Sequence, residues 1–583
     1  NPQRDRYELH ELVRQYAAEK LAEDEEQATA VRTRHANYYC ALLQHHKNQL
    51  KAGQPQEAFA HIEADQENGR AAWDWAVAQG DVTGIDLAVG GLCRFYDMRD
   101  RMYDGLAICE AASQKLRQLP ESPTLQRVLA KTLTWYTRFL RHLGQTATVK
   151  NTFQEISSLL ESAEQSQEDV RAEKAFALAT MGNFNAFEEE NRPCAWEQLE
   201  QSLVLVRQLG DRYGEFSAQN ALGNIARLMG NYHEARHRFE KNLDAARAQQ
   251  NQWETIRALV QLGWVARDLV DYEEARRLFE ECLSLSQTQD NVWGVNRALE
   301  ALAFLSLFQG DFVTAGRYIQ QALTISRHHG FRSDIVKQKV NMAVTQWLSG
   351  RFEEAESGLT EGKDLGKALG YPFTAAFPAI FYGELQALTC QYEAARENIQ
   401  QGITHIQSDF STHLFLIGRA YRVMGWLELA AGHYGAAQDW FEQSAEAYSS
   451  LDDEEAVAWT TAGWGQALFG LGNLEKAQRM VVEALWTAVE IQAYIPLLFL
   501  VPITTLLLDY QNQDQWRERL HTLACREPFL AQEPFFSELV WSKLPPLKTT
   551  PPVEVANLAE LRRELWTARS EEHTSELQSR SVI

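Results

Sequence analysis

The sequence predicts an all-α fold, a solenoid of stacked helix pairs with a period of about 40 residues, and three registers in the chain predict it. The first is a turn pattern: a small or polar pair, an aromatic, and an alanine three residues on. It reads Gly230-Asn231-Tyr232 with Ala235, Val270-Asp271-Tyr272 with Ala275, Gly310-Asp311-Phe312 with Ala315, and Gly350-Arg351-Phe352 with Ala355. It continues as Cys390-Gln391-Tyr392 with Ala395 and Gly432-His433-Tyr434 with Ala437. Gly472-Asn473-Leu474 with Ala477 keeps the frame with leucine at the aromatic position. The second register places an apolar residue four positions past each alanine: Phe239, Phe279, Ile319, Leu359, Ile399, Phe441 and Val481. The third places glycine or alanine nine positions before each aromatic: Gly223, Gly263, Ala303, Ala343, Gly383, Gly425 and Gly465. A small residue in the first helix of a pair admits the second helix closely. Glycine or asparagine in the turn supplies the positive φ that ends a helix. The apolar residue is expected to reach into the next pair. One pair cannot bury its own apolar face, so stacking is obligatory.

With Leu222-Gly223 and Leu262-Gly263 ahead of the Gly-Asn-Tyr turn and its alanine, this pattern resembles the tetratricopeptide repeat. That repeat is usually 34 residues long. The longer period here is similar to the variant in the sensor domain of maltose-regulator (MalT) type proteins. The resemblance covers well over half of the chain. It implies a right-handed superhelix whose first helices line a concave groove.

Composition sets the bounds. At 583 residues, with 45% hydrophobic residues, 16 Trp and 26 Phe, the chain can fill a continuous core. A net charge of −23 argues against a nucleic-acid surface over the array. The seven cysteines (Cys40, Cys93, Cys109, Cys194, Cys282, Cys390, Cys525) contain no Cys-x-x-Cys pair, which fits a reducing cytoplasm and no structural zinc. The apolar stretch Ala493–Leu508 is 16 residues and carries Pro496 and Pro502. That is short of the roughly 20 a bilayer needs, so it is expected to be the buried first helix of a last pair.

In chain order, residues 1–22 place Leu9, Leu12, Val13, Tyr16 and Ala17 at helical spacing. Asn1-Pro2-Gln3 reads as the middle of a longer protein. Leu9-His10-Glu11 resembles the Leu-His-Asp element that closes the winged-helix module of STAND-class signalling ATPases, with Glu in place of Asp. The resemblance implies a nucleotide-sensing role for His10. A surface histidine at a helix start is the alternative. Residues 23–125 are expected to be a helical linker with a first degenerate repeat at Asp100–Gly105. Its Arg34-His35-Ala36-Asn37-Tyr38-Tyr39 and the Glu63-x-Asp65-x-x-Asn68-x-Arg70-x-Ala72-x-x-Trp75 pattern resemble the helices that join ATPase to repeats in that class. Tyr38, Tyr39, Trp73 and Trp75 are expected to pack helices together.

The solenoid proper is expected over 126–544. Weak turns fall at Gly144-Gln145-Thr146 and Asn191-Arg192, and polar loops or solvated faces at Glu161–Arg171 and Glu188-Glu189-Glu190. A Pro-rich linker and a helix over Val553–Ala568 are expected within 545–568. Arg569–Ser579 resembles a common sequencing-library adapter translated in frame, so 569–583 is set apart as an artefact of that kind.

Catalytic signatures are missing. No Gly-x-x-x-x-Gly-Lys-[Ser/Thr], His-Glu-x-x-His or Gly-x-Ser-x-Gly occurs, and His45-His46 and His328-His329 lack metal-ligand spacing. No metal and no cofactor are expected on this stretch, which is not expected to be an enzyme by itself. The tetratricopeptide register implies groove positions at Asn220, Asn224, Arg227, Arg257, Trp264, Arg267, Arg297, Glu300, Phe304, Trp347, Arg419, Arg422, Trp426 and Trp459. Guanidinium groups fork onto carboxylate or phosphate oxygens, and indoles stack on apolar or cationic groups. Asn224 and Arg257 match two positions of the carboxylate clamp that some such domains use for peptide C-termini, while the clamp's other positions do not match. For single residues the plain alternative is inter-repeat packing by Trp and pairing of Arg with neighbouring Glu.

Two functions remain open. One is the sensor of a cytoplasmic, bacterial STAND-type ATPase or LuxR-type or related transcriptional regulator. There an upstream domain binds ATP or ADP, and an inducer or a protein or peptide partner in the groove releases oligomerisation. The other is a stand-alone scaffold for protein segments. Neither needs a membrane or direct contact with nucleic acid.

Overall fold

The structure is a computed structural model that describes residues 11–51, 55–406 and 414–545. His10, the helix expected over Val553–Ala568 and the stretch 569–583 lie outside the described residues. Every regular element among the described residues is helical. The protein is an all-α tetratricopeptide-type solenoid.

The described residues form two compact units. One takes in the residues up to Arg141 with Ala147–Met181 and Gln201–Glu215. The other takes in His142–Thr146, Gly182–Glu200 and the residues from Phe216 on. The chain opens with α1 (Glu11–Ala22), α2 (Glu25–Lys51), α3 (Pro55–Ala64), α4 (Gln66–Gln79), α5 (Val82–Met98), α6 (Met102–Leu116), α7 (Pro123–His142) and α8 (Thr146–Gln165). Helices α9 (Arg171–Asn185), α10 (Arg192–Gln208) and α11 (Arg212–Leu228) give residues to both units. The repeats continue as α12 (Tyr232–Ala248), α13 (Gln252–Asp268), α14 (Tyr272–Thr288), α15 (Val292–Phe308), α16 (Phe312–His329), α17 (Arg332–Leu348) and α18 (Phe352–Leu369). Then come α19 (Pro372–Leu388), α20 (Tyr392–Ile406), α21 (Leu414–Ala430), α22 (Tyr434–Ser449), α23 (Glu454–Gly470) and α24 (Leu474–Glu490). The described chain closes with α25 (Ile495–Tyr510), α26 (Asp514–Ala524), α27 (Pro528–Gln532) and α28 (Pro534–Leu539). The polar stretch 161–171, expected as loop or solvated face, is helical through Gln165, because Leu160 and Ala163 are buried on one face of α8.

In the first unit the linker signature ties α2 to α4. Trp73 is buried, and the Trp75 indole donates to Thr33 Oγ1 at 3.3 Å. Arg127 of α7 gathers Asp86, Glu168 and Glu173 at 2.8–3.0 Å, and Lys131 joins Asp86. Arg94 lies over the rings of Trp135 and Tyr213, at 5.8 and 4.7 Å.

In the second unit several of the turns are chemically marked. Asn231, Asp271 and Asp311 cap the helices that follow them, accepting from the backbone N–H three residues on at 3.0–3.2 Å. The residue before each of these caps is left-handed, Gly230, Gly310 and Val270 at φ 62°, and so is Cys390 at φ 58° in the equivalent place before Gln391. A β-branched residue is unfavourable there. Val270 stays because its side chain packs on the core beside Leu269.

The small-residue register faces the apolar register. A Cβ built on Gly263 would sit 2.3 Å from the Phe279 ring, and one on Gly223 2.6 Å from that of Phe239. The sequence register expected the apolar residue to reach into the next pair. Phe441 does so and also packs within its own pair: a Cβ on Gly425 would meet it at 2.7 Å, and one on Gly463 of the next first helix at 2.4 Å.

The sequence did not reveal that the second unit closes on itself. The Arg192 guanidinium donates to Ser450 O at 3.0 Å, and the Tyr272 hydroxyl bonds the carbonyl of Ile491. Tyr494 N–H donates to Phe308 O at 2.9 Å, and Phe312 meets the Tyr494 ring edge-on. The apolar helix α25 stacks beside α23, and α27 and α28 turn back onto α17 and α19. Phe499, Phe529, Phe535 and Phe536 are buried against Trp426 and Trp459, so the groove side of α19–α23 is filled from within. No described helix is long and apolar enough to cross a membrane.

Phe279→Ala is expected to cost about 3–5 kcal/mol through the cavity it leaves. Gly263→Ala is expected to cost about 1–3 kcal/mol, because overpacking against the buried Phe279 ring outweighs the gain of about 1 kcal/mol in helix propensity. Thermal unfolding checks both. A Gly263→Ala chain more stable than the parent would mean that this contact does not limit the helix spacing.

Candidate functional site

The groove positions divide into two groups. On α11, α13 and α15, Asn220, Asn224, Arg227, Arg257, Trp264, Arg267, Arg297 and Glu300 are half-buried and Phe304 is exposed. On α17, α21 and α23, Trp347, Arg419, Arg422, Trp426 and Trp459 are buried. Trp347 and Trp426, expected on the groove surface, are core residues. Trp347 packs near Phe381, and Trp426 stacks on Phe499 with ring centroids 5.4 Å apart. Trp426 is covered by α25, which occupies this side of its helix, and Trp347 by Phe381 of the next first helix, α19.

In the open group the arginines are paired with neighbouring carboxylates. Arg227 and Arg267 share Asp268. Arg257 holds Glu254 at 3.0 Å, and Arg297 holds Glu300 at 2.7 Å and Asp334 at 2.8 Å. The Asp334 carboxyl is held below its usual range by Arg297 and Lys337, against the opposing effect of burial. What remains accessible is an aromatic–cation face. Arg267 lies 5.5 Å over Trp264 and 5.4 Å over Phe304, the two rings meet edge-on, and Phe304 is 38% exposed.

The buried group has a different balance. Glu384 of α19 is fully buried and receives both arginines of α21: Arg419, and Arg422 at 3.0 Å. Arg419 lies 3.9 Å over the Phe381 ring and Arg422 3.6 Å over that of Trp459. Two guanidinium groups thus share one carboxylate. Nε and Nη1 of Arg422, Nε of Arg419, the Tyr448 hydroxyl and the Trp459 indole N–H are buried without a hydrogen-bond partner. Glu455, half-buried at the start of α23, has its carboxyl pushed up to about 8 by burial and by Asp453, with Arg267, Arg419 and Arg422 pulling the other way.

Sequence reasoning missed Glu384, Tyr448 and Glu455. For Glu384 a signal existed: it is the single charged residue of α19, adjacent to the small-residue position Gly383. A lone carboxylate in an apolar first helix, beside a neighbour carrying two arginines, points to a buried pair. Tyr448 and Glu455 carried no comparable mark. Among the described residues no group of three or more His, Cys, Asp or Glu side chains is placed to hold a metal ion.

A family model described as "Tetratricopeptide repeat" matches residues 214–288. The chain is similar to a solved Rap protein complexed with competence and sporulation factor, at 12% identity over 70% of this chain and 99% of that one, TM-score 0.41. It is also similar to the apo form of the quorum sensor NprR from B. thuringiensis, at 12% identity over 66% of this chain and 99% of that one, TM-score 0.39. A third similar structure is the Rap conjugation gene regulator of the plasmid pLS20 in complex with the Phr* peptide, at 14% identity over 64% and 97%, TM-score 0.40. No curated protein matches the sequence.

Glu384→Gln leaves two buried guanidinium charges without a counter-ion and is expected to cost about 3–5 kcal/mol. For Glu455 the folded carboxyl lies above its unfolded value of 4.5, so the stability it contributes is full below pH 4.5 and lost as pH rises to about 8. Glu455→Gln should therefore be more stable than the parent at pH 8 and above, with the difference vanishing towards pH 4.5. Thermal unfolding across that range checks the sign, and a constant difference would refute the raised value.

Proposed function

We propose that this chain is the sensing region of a signalling protein, holding an inducer or a protein segment against the first helices of its solenoid. The observation that supports it is the Trp264–Arg267–Phe304 face: an exposed phenylalanine and an indole beneath a guanidinium, at groove positions of adjacent repeats. Such a surface takes an apolar or aromatic group with a polar end. In the finer form of this reading the chain belongs to a STAND-type ATPase or transcriptional regulator. ATP or ADP is then held by an upstream module, and occupancy of the groove shifts a two-state equilibrium towards an oligomer. That form is supported by the Leu9-His10-Glu11 element and the Glu63–Trp75 pattern in the sequence.

The test is thermal unfolding of the full chain against small anions, sugars and peptides, with capture of co-purifying protein alongside. A ligand of the native state raises the midpoint with concentration, by the equivalent of about 2.7 kcal/mol at a hundredfold excess over Kd. The shift is expected to be lost in Trp264→Ala and Phe304→Glu. A binder indifferent to both changes would move the site elsewhere. Genomic sequence encoding a P-loop within a few hundred residues before Asn1 is expected, and its absence would leave a stand-alone scaffold.

A further inference from the structure

We propose that Cys93 and Cys109 are an oxidisable pair, closing into a disulfide that clasps α5 to α6. This goes beyond the sensing reading and does not rest on it. The repeat register points to the pair first. Asp100, in the turn between the two helices, is left-handed at φ 57°, Arg101 stands at the cap position, and α6 starts at Met102 where later pairs place an aromatic. Nine positions before Met102 is Cys93, in the place that Gly263 takes later, and seven after it is Cys109, in the place of Phe279. Neither place holds a cysteine in the seven pairs from Gly223 to Val481.

In those later pairs this is the contact at which a small residue admits a large one. Here two thiols meet instead. Both side chains are fully buried, and their Sγ atoms lie 3.4 Å apart. A disulfide holds its sulfurs about 2.05 Å apart, so closing the bond moves each Sγ by about 0.7 Å. Rotation of the two side chains can supply a shift of that size. Packing from both sides keeps the sulfurs facing each other. A Cβ on Gly91 of α5 would sit 2.4 Å from the Leu43 carbonyl oxygen of α2, and one on Gly105 of α6 2.2 Å from the Phe139 ring of α7.

The oxidant is hydrogen peroxide, small enough to enter the pair as it opens. One thiol, as its thiolate, attacks a peroxide oxygen. The O–O bond breaks, the departing oxygen leaves as water with the thiol's proton, and a sulfenic acid stands on that cysteine. The second sulfur attacks the sulfenic sulfur, the S–O bond breaks, and a second water carries off the second thiol's proton. The two thiols lose two electrons, which the peroxide takes up. Burial pushes the Cys93 thiol well above its ordinary range, so thiolate is scarce while the helices are closed, and the rate follows their opening. Once formed, the bond joins residues 16 positions apart and holds the pair at its packed spacing.

The experiment treats the folded full chain with hydrogen peroxide, below its unfolding midpoint, and maps the thiols by mass spectrometry without reduction. Trypsin cuts after Arg70, Arg94, Arg101 and Lys115, which leaves Cys93 and Cys109 on separate peptides, 71–94 and 102–115. These are expected to be recovered joined, lighter than their sum by two hydrogens, and to separate with dithiothreitol. Thermal unfolding of the oxidised chain should show a midpoint raised by several degrees, a rise that reductant reverses and that Cys93→Ala and Cys109→Ala each abolish. Should those variants fail to fold, the map of the unaltered chain still decides. Peptides 71–94 and 102–115 recovered apart, while the exposed Cys194 and Cys525 are oxidised, would overturn the proposal. So would sulfinic acid on either thiol without a joined pair, or joining that occurs only above the midpoint, where the bond would belong to the unfolded chain.

Discussion

The contact on which the second unit depends is a glycine in the first helix of a pair meeting a large apolar side chain from the second. At Gly263 the space for a Cβ is already taken by the Phe279 ring, and at Gly425 by that of Phe441. The backbone therefore approaches as closely as the ring permits, and the ring is buried by two first helices at once, since Phe441 also closes on Gly463. One side chain thus sets the spacing within a pair and between pairs. Repetition of that contact makes the stack regular although the residues filling it vary from phenylalanine to isoleucine, leucine and valine.

Regular stacking has a consequence that no single repeat contains. The second unit winds back until the turn after α15 meets the start of α25, through Phe308 O and Tyr494 N–H, and the turn after α13 meets Ile491. The nearly all-apolar α25, too short for a membrane, is buried on both sides instead. With α27 and α28 it fills the groove side of the later repeats, while the earlier ones leave Phe304 exposed and Trp264 and Arg267 half-buried. One repeated pattern of first-helix positions thus yields two environments. In the open one arginines balance local carboxylates. In the closed one Arg419 and Arg422 share Glu384.

Which groove residues are legible from sequence follows from this. The tetratricopeptide register named Arg267 and Trp264 together with Arg419 and Trp426, because all four occupy equivalent places on first helices. The register carries no information about what lies opposite. Trp426 is core because Phe499 stacks on it from a repeat two pairs later, and Trp347 because Phe381 covers it. Glu384 could have been suspected as the lone charge of α19. Glu455 could not, since its raised carboxyl depends on burial and on charges from other helices.

The sequence by itself determined the helices, their caps, the pairing and the period of the stack. Those rest on local chemistry: an Asn or Asp accepting a backbone N–H three residues on, a left-handed residue before it, and a small residue opposite a large one at fixed spacing. Only the tertiary structure decided which stretch of groove stays open, where two guanidinium groups are left with one carboxylate, and how the chain closes on itself. Those depend on residues some 200 positions apart being brought together, as Tyr272 and Ile491 are. The small rotation from each pair to the next, summed over several repeats, sets that meeting, and it is a property of the whole stack.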